Sequence, residues 1–358
     1  MTASTEHSAP PGRPADAHTR KSGPVPDEDL SQRLLAAAKQ RRIPDFYIVG
    51  HPKSGTTALH EMLRSHPQIF MPDLKEPRFF ATDLRGRLQS QAGPGPRAQL
   101  PETPEEYLDL FDGAAPEQRV GEASPSYLRS ANAAALIAQA QPGARIIAIL
   151  REPASFLRSL HLELVQNHVE REQDLRRALA KESLPRVPAA GEGASAPQLP
   201  RYSDRVRYVE QLRRYHAVFP AEQMLVLIYD DFRRDNEATV RRVLRFLDVE
   251  DALPLTTVEA NPTVHVRSVR LDRAVRRLQA GQGPLWRTAK AAVKAITPAR
   301  LRGGALQGVR RGVLYGDPRP PEEDLMLELR RRFKAEVVAL SEYLDRDLVT
   351  MWGYADLK

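Results

Sequence analysis

Apolar residues gather along this chain in five short runs, at 46–49, 69–71, 119–121, 146–150 and 224–229. Each is too short for a helix, and most lack the polar alternation of a half-exposed strand, so they read as strands buried on both faces. Between them, polar and apolar positions recur at helical spacing over 54–65, 131–140, 153–168, 202–219 and 236–247. Strand followed by helix, repeated, needs crossover connections. The pattern predicts a three-layer α/β/α fold with a mostly parallel central sheet of about five strands. A last helix is predicted over 322–344, where Leu325, Leu329, Phe333, Val337 and Leu340 share one face.

Two stretches interrupt this rhythm. Residues 85–104 and 183–200 are rich in Gly, Pro, Ala and Gln and read as long loops, either lids or plain surface excursions. The first 26 residues hold almost no large apolar side chain and cannot offset the entropy of ordering. The domain reading is therefore a disordered tail over 1–30 and a single domain over 40–350.

Composition narrows the function. With no cysteine among 358 residues, disulfides, iron–sulfur clusters and thiolate zinc sites are excluded. The nine histidines do not fall in a metal-ligand spacing, so no metal is expected. No run approaches the roughly 18 apolar residues of a membrane span, and no leader peptide is seen, so the expectation is a cytoplasmic protein. The net charge of +7 is unevenly spread: 273–316 carries ten Lys or Arg and no Asp or Glu. That stretch is either a solvated insertion or a surface for an anionic membrane or polymer, with Leu285 and Trp286 as an interfacial anchor. No aromatic-interleaved motif accompanies the charge, so nucleic acid is not expected as a partner.

The chemistry concentrates where the first strand ends. Phe46-Tyr47-Ile48-Val49-Gly50 leads into His51-Pro52-Lys53-Ser54-Gly55-Thr56-Thr57 and then a helical pattern. Strand, small-residue loop and helix start build an anion site from unpaired main-chain N–H groups and the helix dipole. Gly50-x4-Gly55 has Walker A spacing, but Thr56 stands where a nucleotide kinase carries its lysine, and the lysine lies inside the loop at Lys53. A lysine there supplies point charge to a leaving group, or is simply solvated. At the end of the fourth run, Arg151 sits at a strand's carboxyl end, where open α/β sheets bind ligands, and Ser159 follows about two helical turns later. A structural ion pair is the plainer reading of Arg151.

Together these stretches resemble the sulfotransferases that use 3′-phosphoadenosine 5′-phosphosulfate (PAPS), over roughly residues 44–350. Pro52-Lys53-Ser54-Gly55-Thr56-Thr57 is similar to that family's 5′-phosphosulfate loop, which implies that Lys53 is catalytic and that Thr56 and Thr57 help hold the donor. Arg151 and Ser159 match its 3′-phosphate residues. Within the family the look is to bacterial members and the heparan-type branch, through Lys75-Glu76-Pro77-Arg78-Phe79-Phe80 and Gly121-Glu122-Ala123-Ser124-Pro125. That likeness implies Glu76 as general base. Ala123 replaces a lysine of the heparan-type enzymes, and Phe156 a common arginine. Arg267 is carried over as a donor contact, and His51, His60 and His161 remain rival bases. The implied reaction takes a sulfuryl group from PAPS to a hydroxyl or amine of a carbohydrate, lipid-linked or small-molecule acceptor, leaving 3′-phosphoadenosine 5′-phosphate (PAP). The alternatives are a P-loop nucleotide or small-molecule kinase, and a non-catalytic module that binds an anion or polysaccharide.

Overall fold

The computed structural model of the chain describes residues 27–39, 41–85, 100–167, 169–182, 201–254, 265–266, 315–316 and 322–357. The expectations for the tail before residue 27, for most of both long loops, for Arg267 and for nearly all of 273–316 lie outside these residues.

The chain opens with α1 (Asp27–Ala37), β1 (Phe46–Gly50), α2 (Thr56–Arg64) and β2 (Ile69–Phe70). It continues through α3 (Pro104–Asp109), β3 (Arg119–Ala123), α4 (Ala133–Ala140), β4 (Arg145–Leu150), α5 (Pro153–Gln166) and α6 (Leu175–Lys181). Then come α7 (Tyr202–Arg205), α8 (Tyr208–His216), β5 (Met224–Ile228), α9 (Tyr229–Arg234) and α10 (Asn236–Phe246). A two-residue antiparallel pair, β6 (His265–Val266) with β7 (Tyr315–Gly316), precedes α11 (Glu323–Tyr343) and α12 (Leu348–Met351).

The first five strands form one sheet in the order β2-β3-β1-β4-β5, every neighbouring pair parallel. Strand period decides what each face buries. Phe46 and Ile48 of β1, with Ile147 and Ile149 of β4, pack against Leu59, Met62 and Leu63 of α2 and Val240, Val243 and Leu244 of α10. Tyr47 and Val49, with Ile146, Ala148 and Leu150, join the larger core under α4, α5, α8 and α11. The expected three layers are therefore present, with both faces of a parallel sheet covered.

Three boundaries depart from the periodicity, each for a local reason. The tail expected to reach residue 30 overlaps α1, whose Leu34 is fully buried. The helix expected over 202–219 is broken: Val206 and Arg207 leave helical backbone. The freed carbonyls of Asp204 and Arg205 instead accept from Gln211 Nε2, at 3.2 and 3.3 Å. β5 stops at Ile228, because Tyr229 opens a helix rather than ending a strand.

Candidate active site

Gly50 leaves β1 at φ 140° and Gly55 precedes α2 at φ 84°. A β-carbon at Gly55 would lie 2.9 Å from Cδ1 of Phe232, so both backbone angle and close approach demand glycine there. Between them Lys53 is itself left-handed at φ 64°. For a residue with a β-carbon this costs on the order of 1–3 kcal/mol. The first turn of α2 has neither a side-chain cap nor an acidic residue. Its leading N–H groups and dipole are thus left for an anion.

The neighbouring helix is different. Glu152 accepts from the amides of Ala154 (3.2 Å) and Ser155 (2.6 Å), closing the start of α5 with the protein's own carboxylate. Of the two helix starts beside β1 and β4, only that of α2 is open. Arg151, between them, donates from Nη1 to the carbonyl of Lys53 at 2.7 Å and lies over the Tyr229 ring at 4.7 Å. Tyr208 Oη in turn donates to the Arg151 carbonyl at 2.9 Å. Burial lowers the pKa of Arg151 while Tyr229, Asp230 and Glu152 pull it back up. The guanidinium therefore braces the loop from one side.

On the other side of β1, the segment after β2 is tied to the end of β3. The Glu76 amide donates to the Ala123 carbonyl at 3.0 Å, and the Arg78 amide to Ser124 Oγ at 3.0 Å. Glu76 and Arg78 both have positive φ, 61° and 58°. With Lys53 they account for three of the five such non-glycine residues among the described ones, and strain of this kind gathers at functional sites. Glu76 Oε1 accepts from Lys75 Nζ at 3.1 Å, and Oε2 from Arg78 Nε and Nη2 at 3.2 and 2.5 Å. Burial pushes the Glu76 carboxyl up, but the two cations outweigh it and hold it at about 2.

A family model described as a sulfotransferase family matches residues 44–252, more than half of the chain and all of the loop, Glu76, Arg151 and Ser159. The chain belongs to the sulfotransferase family. It is 27% identical over 254 residues to human carbohydrate sulfotransferase 15, covering 58% of this chain and 44% of that protein. Against the human bifunctional heparan sulfate N-deacetylase/N-sulfotransferase 3 it is 27% identical over 214 residues, 58% of this chain and 22% of that one. The chain thus spans less than half the length of either relative. A solved sulfotransferase from Alicyclobacillus acidocaldarius superposes with a TM-score of 0.59 at 26% identity, covering 86% of this chain and 98% of that one.

Within the sulfotransferase domain the remaining candidates sort by environment. Pro52 and Thr57 are half-buried, and Ser54 and Thr56 buried. Ser159 lies two turns into α5 and is 3% exposed. His51 is wedged between Phe156 and Tyr208, at 4.6 and 4.5 Å between ring centres, and Nε2 meets Gln211 Oε1 at 3.3 Å. Burial drives its pKa down to about 3, so it shapes the loop as a neutral ring and is not a base. His161 is bonded to Tyr202 Oη (2.9 Å) and the Gln173 carbonyl (3.1 Å), and His60 is buried in α2. Glu122, one residue before Ala123, is fully buried and accepts from Tyr107 Oη (2.9 Å) and Tyr127 Oη (2.8 Å). Burial lifts it to about 7 against those hydrogen bonds.

Two residues went unnoticed in the sequence. Arg158 lies in the second turn of α5, and burial, then the like charge of Arg151, lowers its pKa. Glu163 follows Ser159 by one helical turn. Its signal was there, since Ser155, Ser159 and Glu163 fall at i, i+4, i+8 on one stripe of α5.

Proposed function

We propose that the chain transfers a sulfuryl group from PAPS to a hydroxyl or amine, with carbohydrates as the leading acceptor class. The carrying observation is the clasp of Arg151 on the Lys53 carbonyl, beside a helix start with no cap of its own. The open amides of α2 and the hydroxyls of Thr56 and Thr57 suit the 5′-phosphosulfate. Arg151, with Ser159 and Arg158 of α5, is assigned to the 3′-phosphate, for which two guanidiniums match a dianion. The donor supplies the transferable sulfuryl group and a phosphate leaving oxygen. Lys53 stabilises charge on that oxygen. Glu76, kept ionised by Lys75 and Arg78, faces the attacking group and draws its proton away.

The carbohydrate assignment is supported by the names of the relatives, a carbohydrate sulfotransferase and a heparan sulfate N-sulfotransferase. A kinase reading needs a lysine at Thr56. Thermal shifts with PAP, with ATP and with ATP plus magnesium separate the two: PAP alone should stabilise strongly. A screen of glycans and small hydroxyl compounds with labelled PAPS, read by mass spectrometry, then finds the acceptor. The basic stretch 273–316 is proposed to meet an anionic membrane or polymer, and liposome co-sedimentation at low and high salt tests it.

A further inference from the structure

The last stretch of the chain, α11, α12 and the residues after them, lies beyond the family match, which ends at residue 252. It is nonetheless firmly built. Asp347 Oδ1 accepts from the Thr350 amide at 2.9 Å and caps α12, and Leu348 is fully buried. Lys334 of α11 donates to the Leu357 carbonyl at 2.5 Å. Trp352 and Tyr354 are 6% and 0% exposed. An indole N–H and a phenol O–H buried to this degree need hydrogen-bond partners. They find them far away in the sequence.

Those partners surround Arg151. Tyr354 Oη donates to Glu152 Oε1 at 2.5 Å, and Trp352 Nε1 to Asp230 Oδ2 at 2.9 Å. The Val209 amide donates to Glu336 Oε1 of α11 at 2.9 Å. Each held residue immediately follows one that fixes the clasp. Glu152 follows Arg151 itself. Asp230 follows Tyr229, over whose ring the guanidinium lies. Val209 follows Tyr208, whose hydroxyl donates to the Arg151 carbonyl. Arg330 of α11 adds a cation 3.6 Å from Glu152, and Arg346 one 2.6 Å from Asp231. The clasp is thus assembled from the ends of β4 and β5 and the start of α8, and the C-terminal unit grips all three. A guanidinium reads a phosphate through a rigid fork, so its aim matters as much as its charge.

We propose that the C-terminal unit positions the Arg151 guanidinium, with Tyr354, Trp352 and Glu336 as its positioning residues, and thereby sets the preference for a 3′-phosphorylated nucleotide. The inference rests on the assignment of Arg151 to the 3′-phosphate. Coupling of this kind is reciprocal: whatever the docked unit adds to PAP affinity, PAP returns as stability of the docked unit.

The test uses the full chain carrying Trp352→Phe and Tyr354→Phe together, which keeps an aromatic ring at both positions and removes the N–H and the O–H. Calorimetric titration with PAP and with adenosine 5′-phosphate should show the preference for PAP falling at least about fivefold, the lower end of usual coupling between sites. Because the effect runs through Arg151, the same pair on an Arg151→Ala background should change the preference by less than about twofold. A packing defect alone would lower the melting temperature and leave the preference in place. A preference unchanged within about twofold with Arg151 present, or an equal fall on the Arg151→Ala background, overturns the proposal. Glu336→Ala, at a half-buried position, carries the same cycle if the pair does not fold. A second readout needs no variant. In wild type at matched occupancy, PAP should slow amide exchange across 348–354 more than adenosine 5′-phosphate does, and equal protection by the two overturns the proposal. Failure of wild type to bind PAP would sink the donor assignment itself, whereas PAP binding with an unchanged preference in the pair sinks the support alone.

Discussion

Replacing Arg151 by alanine separates two jobs that one side chain performs. Its Nη1 donates to the Lys53 carbonyl at 2.7 Å, and its remaining N–H groups are assigned to the 3′-phosphate. Loss of the loop contact affects any ligand of the loop equally; a hydrogen bond of this kind is worth roughly 1 kcal/mol, about fivefold in affinity. Loss of the phosphate contact affects only ligands with a 3′-phosphate. A charge-assisted contact contributes roughly 1.5–3 kcal/mol, or about 10- to 150-fold. PAP should therefore weaken by the product of the two factors and adenosine 5′-phosphate by the first alone. The preference between them should collapse by about 10- to 150-fold. Arg151→Lys keeps the charge but loses the fork that bridges carbonyl and phosphate, so it should fall between. Calorimetric titration of both nucleotides at one fixed salt concentration measures the ratio. A PAP preference unchanged within twofold in Arg151→Ala would place the 3′-phosphate elsewhere and refute the clasp as the donor-reading element.

Lys53→Ala should lower turnover about a hundredfold, roughly 3 kcal/mol of leaving-group stabilisation, while PAP binding falls less because main-chain N–H groups supply most of it; unchanged turnover would remove the lysine from the reaction. Gly55→Ala must place a β-carbon 2.9 Å from the Phe232 ring at φ 84°, so a melting temperature and PAP affinity equal to wild type would contradict the loop geometry. Glu76→Gln should lower turnover about a hundredfold with near-normal PAP binding. Glu76 also has a depressed pKa, so the stability it contributes is present above the ordinary 4.5 and lost as pH falls towards about 2. The melting-temperature gap between wild type and Glu76→Gln should therefore be open at pH 7 and close on acidification, and a gap that widens in acid would show the sign to be wrong.

The sheet was legible because its strands are buried on both faces, which makes them continuous apolar runs that no helix of that length would need. Helix ends were less so. At the break at Val206 and Arg207, Gln211 bonds two carbonyls of the preceding turn and also His51, 160 positions earlier, a contact that no local pattern encodes. Lys53 and Arg151 were legible as candidates because each lies beside a strand end in a contiguous motif. Their contact across 98 positions was not foreseen. Glu76 was assigned as a base by likeness, with a salt-bridged loop residue as its plainer reading, and the cations that hold its oxygens stand one and two positions away in the sequence.

The strand order β2-β3-β1-β4-β5 has a consequence for how such an enzyme changes over time. The ligands proposed for the donor come from the β1 loop and from the end of β4, on one side of the central strand, with Tyr229, just after β5, under Arg151. Glu76 and its supports come from the ends of β2 and β3, on the other. A substitution, or even an inserted loop, beyond β3 can therefore remodel what is sulfated without moving a single atom that grips the nucleotide. The fold works as a fixed chuck with interchangeable jaws on one side. Divergence in acceptor should accumulate in the segments after β2 and β3, while the β1–β4 seam stays constant across enzymes with unrelated products.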